Sequence, residues 1–448
     1  MDRDEREQIN RMVDHAVKEL FGDGTVERAV LLRDGDEPGI EPGQMVVRVL
    51  VAGAVDEPGL AAWREAHEAQ VTRLRWEAAA RLPSARRIEF SYDAPGAPLI
   101  AVEVEGDAPE PREIVTRALT LLRENYVFPD LGEQAAAAVE EHLAAGEYDD
   151  LDEIALTELV TRHLQEVTHD KHLGLRLGGG PQTRPRDPVR PGEAPVPPDG
   201  PPELPDDPEL RRLAMRQRFR LDNFGIRRVE RLDGNVGYVD LRRMPEPANA
   251  GPAITAAMEL VAGSYALIID MRKNGGGSPQ GVVFWCSYLV AEQPPVHLND
   301  IYRADTGETT QFWSLPYVPG TRYLDRPVYM LTSERTFSGG EDLCYTLQAI
   351  GRAEIIGETT GGGAHPTRGF PVSAGIHIGV PFARSVNPVT GTNWQGTGVV
   401  PDVAVDAEQA FDVAYARALR GVLELADVPR PIEHEARDAL ADLEPVKA

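Results

Sequence analysis

The chain has 448 residues, too many for one ordinary hydrophobic core, so two to four domains are expected. Its composition, 42% hydrophobic and 26% charged, is that of a globular protein. A net charge of −26 argues against nucleic acid and against an anionic membrane surface, since both require a basic face.

No run of about 18 apolar residues is present, so no membrane-spanning helix is expected. The start, "MDRDEREQIN", is charged and lacks an apolar signal core, which points to a cytoplasmic protein. The two cysteines, Cys286 and Cys344, sit in apolar runs and read as reduced core residues. Neither a disulfide framework nor a cysteine–zinc site is expected.

In chain order, residues 1–108 alternate helical stretches (3–21 and 57–82) with the β-like runs "VERAVLLR", "MVVRVLVAG", "RRIEFSY" and "LIAVEVEG". That pattern predicts a small α+β accessory domain, with no catalytic constellation. Residues 109–180 read as a helical bundle built from "REIVTRALTLLRENYVF", "EQAAAAVEEHLAAGEY" and "EIALTELVTRHLQEV", and they end in "THDKHLGLRL". Residues 181–210 form a Pro-rich linker with almost nothing to bury. From 211 to 425 the strands "NVGYVDL", "SYALIIDMR", "RPVYMLT", "AEIIGET" and "GIHIGVPF" alternate with helices at 250–263, 279–291 and 339–350. This predicts a layered α/β core with helices packed on a sheet. Residues 426–448 read as a polar, peripheral tail.

Within that core, "LTSERTFSGGEDLCYTL" (331–347) puts Ser338 on a strand-to-helix turn. Ser338 with Glu341 three residues on reads as a capping box. The same geometry exposes the hydroxyl beside Gly339 and Gly340 and a helix N-terminus that favours a developing oxyanion. The turn "NGGG" (Asn274 to Gly277) follows a buried strand and offers backbone N–H groups, and "GETTGGGAHP" (357–366) adds His365 as one candidate base. "HDKHLGL" supplies His169 and His172. The spacing of His163, His169 and His172 matches no zinc pattern, so no metal and no cofactor are expected.

Taken in order, "DKHLGLRL", "GNVGYVDL", "IIDMRKNGGG", "LTSERTFSGGED", "RAEIIGETTGGGAHP" and "TNWQGTGVVPDV" resemble the tail-specific, C-terminal-processing serine peptidase family. They are most similar to its branch of tricorn-like proteases and interphotoreceptor retinoid-binding protein. The resemblance spans about residues 110–425. It implies a crotonase-like (ClpP/crotonase) β/α core with an N-terminal helical bundle, peptide or protein substrates, and a tendency to homo-oligomerise.

Residue by residue, it implies Ser338 as nucleophile and His172, from the helical bundle, as base. The N–H groups of Gly339 and of Gly275 or Gly276 match the oxyanion hole. The family's Ser–Lys branch carries a lysine where this chain has Gly363, which argues against a lysine dyad. Two positions depart from the tricorn-like pattern: Gln395 stands where that branch has a glutamate, and Lys171 where it has a small hydroxyl residue. Asp170 is a possible substitute carboxylate.

The expectation is therefore a serine peptidase with a weakened or rearranged relay, since a missing acid costs on the order of 10⁴ in rate. The alternatives are a non-catalytic binding protein for a peptide or small ligand, or a non-proteolytic acyl-transfer enzyme or esterase.

Overall fold

A computed structural model describes residues 110–177, 217, 219–373 and 375–443, together with parts of 10–103. The Pro-rich segment expected at 181–210 lies outside the described residues.

Near the N-terminus, Val26–Arg33 (β1), Met45–Val51 (β2), Ala85–Ser91 (β3) and Ile100–Glu103 (β4) form one sheet in the order β1-β2-β3-β4. β2 and β3 run parallel and the other neighbours antiparallel. Parallel strands need a crossover, and it carries helix α1, Glu57–Ala66, capped by Asp56 accepting from the Gly59 N–H at 2.8 Å. Alternate residues Val47, Val49 and Val51 of β2 join Ile88 and Phe90 of β3 in a closed core with Val17, Phe21 and Leu60.

Three helices follow: Pro111–Asn125 (α2), Pro129–Ala144 (α3) and Glu153–Thr168 (α4). Ile114, Val115, Ala118, Leu119 and Leu122 make a single buried stripe on α2 at helical spacing. The bundle is not closed by helices alone. Gly174–Leu177 (β5) pairs with β14 (Ile376–Pro381), which pairs with β13 (Thr367–Ser373). Val372, Ile376, Ile378 and Val380 of this hairpin are buried in the helical core. "GIHIGVPF", expected in the main sheet, thus belongs to a separate three-stranded sheet. Its apolar alternation fits either location, and only the pairing with β5 decides between them.

The main sheet comprises Ile226–Leu232 (β6), Val236–Leu241 (β7), Ala266–Asp270 (β8), Val328–Thr332 (β11), Glu354–Gly357 (β12) and Val403–Ala404 (β16), in the order β16-β12-β11-β8-β7-β6. All neighbours are parallel except β6 and β7. Helices α5 (Pro247–Val261), α6 (Pro279–Leu289) and α7 (Gly339–Ala349) share one core with Leu267, Ile269, Met330 and Ile355. Helix α8 (Ala410–Glu424) covers the opposite residues Ala266, Ile268, Leu331 and Ile356. Burial on both faces explains the unbroken apolar runs of these strands, and each fully buried Ile or Leu contributes roughly 1.5–3 kcal/mol. The result is a mixed α/β fold. A smaller sheet, β10-β9-β15, consists of Thr309–Trp313 (β10), His297–Arg303 (β9) and Ala383–Val386 (β15).

Cys286 and Cys344 are free and buried, and burial pushes both thiols up. The tail reading for 426–448 needs correction. Arg430–Leu443 forms α9, which docks on α8 with Ala436 fully buried and Ile432, Leu440 and Leu443 packed beside it. These positions follow helical periodicity within a sequence whose high charge masks it.

Candidate active site

Three turns meet at the carboxyl ends of three adjacent parallel strands, where open α/β sheets present their ligand crevices. β8 leads into Asn274–Gly277, β11 into Ser338, and β12 into the glycine turn at 361–363.

Ser338 is the N-cap of α7 and has φ 53° and ψ −125°, a conformation that costs a non-glycine residue about 1–3 kcal/mol. The surrounding turns hold it there. Gly276, at φ +90°, lies so close that a Cβ on it would sit 2.7 Å from Ser338 Cβ and 2.8 Å from the Gly339 nitrogen. Only glycine fits this position, by both dihedral and space.

Glu341 explains why the capping reading and the catalytic reading coexist. It is fully buried and forms the capping box with Ser338 by accepting its N–H at 2.8 Å. The same carboxylate accepts from the N–H of Gly362 at 2.6 Å, the N–H of Gly363 at 2.8 Å and the hydroxyl of Thr360. One side chain therefore ties the Ser338 turn to the glycine turn after β12. Burial pushes its carboxyl up to about 7, against the opposing pull of these four donors.

The N–H groups expected to line an oxyanion hole are distributed differently from the sequence reading. Gly275 donates to the Arg242 carbonyl at 3.1 Å and Gly276 to Asn274 Oδ1 at 2.8 Å, so both point into the protein. Asn274 is itself buried and donates to the Leu241 carbonyl at 2.9 Å. Among the described residues, the N–H groups of Gly339 and Gly277 make no hydrogen bond. They are close together, since a Cβ on Gly339 would lie 3.1 Å from the Gly277 nitrogen. The uncommitted pair is therefore Gly339 with Gly277, because the Asn274 side chain captures the Gly276 N–H within the turn.

His172 arrives from the other core, on the turn between α4 and β5. α4 ends at His169, whose φ of 52° closes the helix in the left-handed region. The His172 ring is buried and packs on Phe337, the neighbour of Ser338, with ring centroids 4.6 Å apart. A side chain at Gly363 would meet both: its Cβ would fall 2.3 Å from Phe337 Cζ and 2.6 Å from His172 Cε1. The absence of a side chain at Gly363 thus leaves the space that the imidazole and phenyl rings occupy.

Burial pushes the His172 imidazole down to about 4, with Asp170 opposing and Arg176 and His365 adding to the fall. Its Nδ1 is buried without a hydrogen-bond partner among the described residues and stands 3.9 Å from Asp170 Oδ1.

Asp170 and His365 come together rather than serving separately. His365 Nδ1 lies 2.6 Å from Asp170 Oδ2, and both residues are buried. Asp170 Oδ1 accepts the backbone N–H of His172 at 3.0 Å. Burial would raise the Asp170 carboxyl, but the His365 bond and charge, with the His172 ring and N–H, outweigh it and hold it below its ordinary value. Lys171 is exposed and donates to the Gly361 carbonyl at 2.6 Å. Gln395 accepts the Ala364 N–H at 2.8 Å, while its Nε2 is buried without a partner among the described residues. Trp394 donates to the Gly363 carbonyl at 2.8 Å.

Glu341 and Phe337 are not singled out by the sequence as parts of the chemistry, and Gly277 enters there only as one glycine of the Asn274–Gly277 turn. The capping-box spacing was the only available signal for Glu341, and it pointed to the helix alone.

Two family models match the chain: the N-terminal domain of peptidase family S41 in eukaryotic interphotoreceptor retinoid-binding protein over residues 109–224, and peptidase family S41 over residues 235–405. A carboxyl-terminal-processing protease of Synechocystis sp. is 28% identical over 174 residues, which is 38% of this chain and 38% of that protein's length. Among solved structures, the photosystem II D1 C-terminal processing protease aligns at 24% identity with a TM-score of 0.33, covering 46% of this chain and 47% of its own. The tricorn protease aligns at 14% identity and a TM-score of 0.41, covering 78% of this chain and 39% of its own.

Proposed function

The chain belongs to peptidase family S41, and from that premise we propose that it is a serine peptidase working through a Ser338 acyl-enzyme. The observation that carries the reading is the position of Ser338. It is held at positive φ on a helix N-terminus, between a glycine turn with an uncommitted Gly277 N–H and a buried imidazole packed on its neighbour Phe337.

In this mechanism Ser338 Oγ attacks the carbonyl carbon of a peptide bond, and its proton passes to His172. The developing oxyanion is met by the N–H groups of Gly339 and Gly277 at the positive end of α7. His172 then protonates the leaving amine, and water, with His172 as base, hydrolyses the resulting ester. Asp170 and His365 are positioning residues: their pairing fixes the turn that carries His172 against the glycine turn.

Among the described residues His172 Nδ1 has no hydrogen-bond partner, the Asp170 carboxylate stands 3.9 Å away, and Gln395 brings no charge to compensate. The relay is accordingly weaker than that of a full triad. The substrate class is peptides or proteins, cleaved in the manner that the name of the cyanobacterial relative indicates. The alternation of strands and helices over 211–425 fits a crotonase-type core of the tricorn-like branch.

A fluorophosphonate probe tests the assignment. Wild-type protein is expected to be labelled and Ser338→Ala not. Equal labelling of the two, or none of either, defeats it.

A further inference from the structure

Three side chains that the peptidase mechanism does not use converge on the helical core. His142 in the last turn of α3, Glu147 in the turn that follows and His163 in α4 each offer one ligand atom, and these atoms all lie within 4.8 Å of one another. His142 Nδ1 is 2.9 Å from Glu147 Oε1. The His142 and His163 imidazoles stack with centroids 3.8 Å apart and planes inclined at 20°. His163 is buried and its Nδ1 is paired at 2.7 Å with the hydroxyl of Tyr148, itself fully buried. The His142 and Glu147 side chains keep 36% and 45% of their surface, so an ion could enter from solvent.

We propose that His142, Glu147 and His163 form a binding site for a divalent transition-metal ion of the zinc class, stapling α3 to α4. Two imidazoles and one carboxylate suit Zn²⁺, Co²⁺ or Ni²⁺ and not the all-oxygen preference of Ca²⁺ or Mg²⁺. Donors about 2.0–2.1 Å from a common ion stand roughly 3 to 3.5 Å apart, so ligand atoms within 4.8 Å of one another need to close by no more than about 2 Å to share one.

Tyr148 plays the outer part. When its oxygen accepts Nδ1–H, the His163 tautomer leaves the other ring nitrogen's lone pair for the ion. A simple surface ion pair accounts for His142 and Glu147, but not for a second imidazole laid against the first. Two stacked rings cannot both be charged without repulsion. Metal binding would take each ring through a deprotonated nitrogen. The ordering of α4 is of consequence, because that helix leads directly into the turn that bears His172.

The test uses the full chain, stripped with a chelator and titrated with Co²⁺ at neutral pH by calorimetry and visible absorption. One Co²⁺ per chain is expected, displaced by Zn²⁺. His142→Asn and Glu147→Gln, both at partly exposed positions, should each weaken binding at least about tenfold, as should Tyr148→Phe through loss of the outer hydrogen bond. His434→Asn, an exposed histidine on α9, should bind as wild type does. Melting curves verify that each variant folds, and Co²⁺ should raise the midpoint of wild type but not of Glu147→Gln. The proposal is overturned if wild type takes up no stoichiometric ion, or if His142→Asn and Glu147→Gln bind Co²⁺ as tightly as wild type.

Discussion

Glu341 and His172 both adjoin the Gly363 turn near Ser338, both buried and both titratable, yet their surroundings differ in kind. Glu341 receives four donors, one from its own helix cap and three from the turn after β12. His172 has packing partners on its ring face and no hydrogen bond at Nδ1 among the described residues. The carboxylate beside Ser338 is thus fully paired, while the His172 ring is held by packing and only its backbone N–H is held by a hydrogen bond, to Asp170. A buried polar network specifies geometry when every member is paired, whereas an unpaired member contributes little orientation. The proposed relay is least supported at His172 Nδ1.

Four experiments break or sharpen that contrast. The largest effect is expected from Ser338→Ala, which should reduce peptide hydrolysis by about 10⁴-fold or more while leaving the melting midpoint close to wild type, as read by steady-state kinetics beside calorimetry. Next is Gly363→Ala, whose Cβ would enter the space of the Phe337 and His172 rings. Displacing the base by about 1 Å should lower kcat/KM by about 10²-fold. The overpacking should cost about 1–3 kcal/mol in urea unfolding. A variant as active as wild type would show that the His172 ring position is immaterial.

Gln395→Glu is expected to act in the opposite direction and raise kcat/KM about tenfold, a fraction of the roughly 10⁴ that a complete acid can supply. No gain would mean that position 395 does not support the base.

The smallest effect is on pH dependence. Because burial holds the folded-state pKa of His172 at about 4, the acid limb of kcat/KM should fall near that value and not near 6.5. The sign for stability follows from linkage. The unfolded chain takes up a proton below about 6.5 that the folded His172 excludes. Stability from this group is therefore full above that pH and is lost as pH falls toward 4. His172→Asn should remove this part of the slope between urea midpoints at the two pH values.

Much of the architecture was legible in the residues themselves. The buried runs of β7, β8, β11 and β12 and the helices between them follow directly from apolar content and periodicity, because a doubly covered sheet leaves no polar face to confuse the pattern. The α9 helix was missed, since its apolar stripe is thin and the segment is highly charged. The candidate nucleophile was legible as a serine in a Gly-rich strand-to-helix turn. Its connection through Glu341 to a turn some twenty residues away was not, because the spacing that identifies a cap carries no information about other acceptor partners. The N–H groups of Gly275 and Gly276 looked equivalent to that of Gly277 in sequence. The Arg242 carbonyl takes the Gly275 N–H and the inward Asn274 side chain that of Gly276, which leaves Gly277 distinct.

What the sequence determined by itself is therefore local: which segments are strands and helices, where glycine is required, and which serine and histidine are available for chemistry. These depend on near-neighbour sterics and on periodic burial, both written within a few residues. What tertiary structure alone decided is pairing across long separations. It joined Asp170 to His365, placed the His172 ring in the space left by Gly363, and set His163 beside His142 rather than beside His169 and His172. The physical reason is that a buried polar atom takes whatever partner the packed chain brings within about 3 Å, and that distance is set by the cores of two different layers, not by sequence spacing.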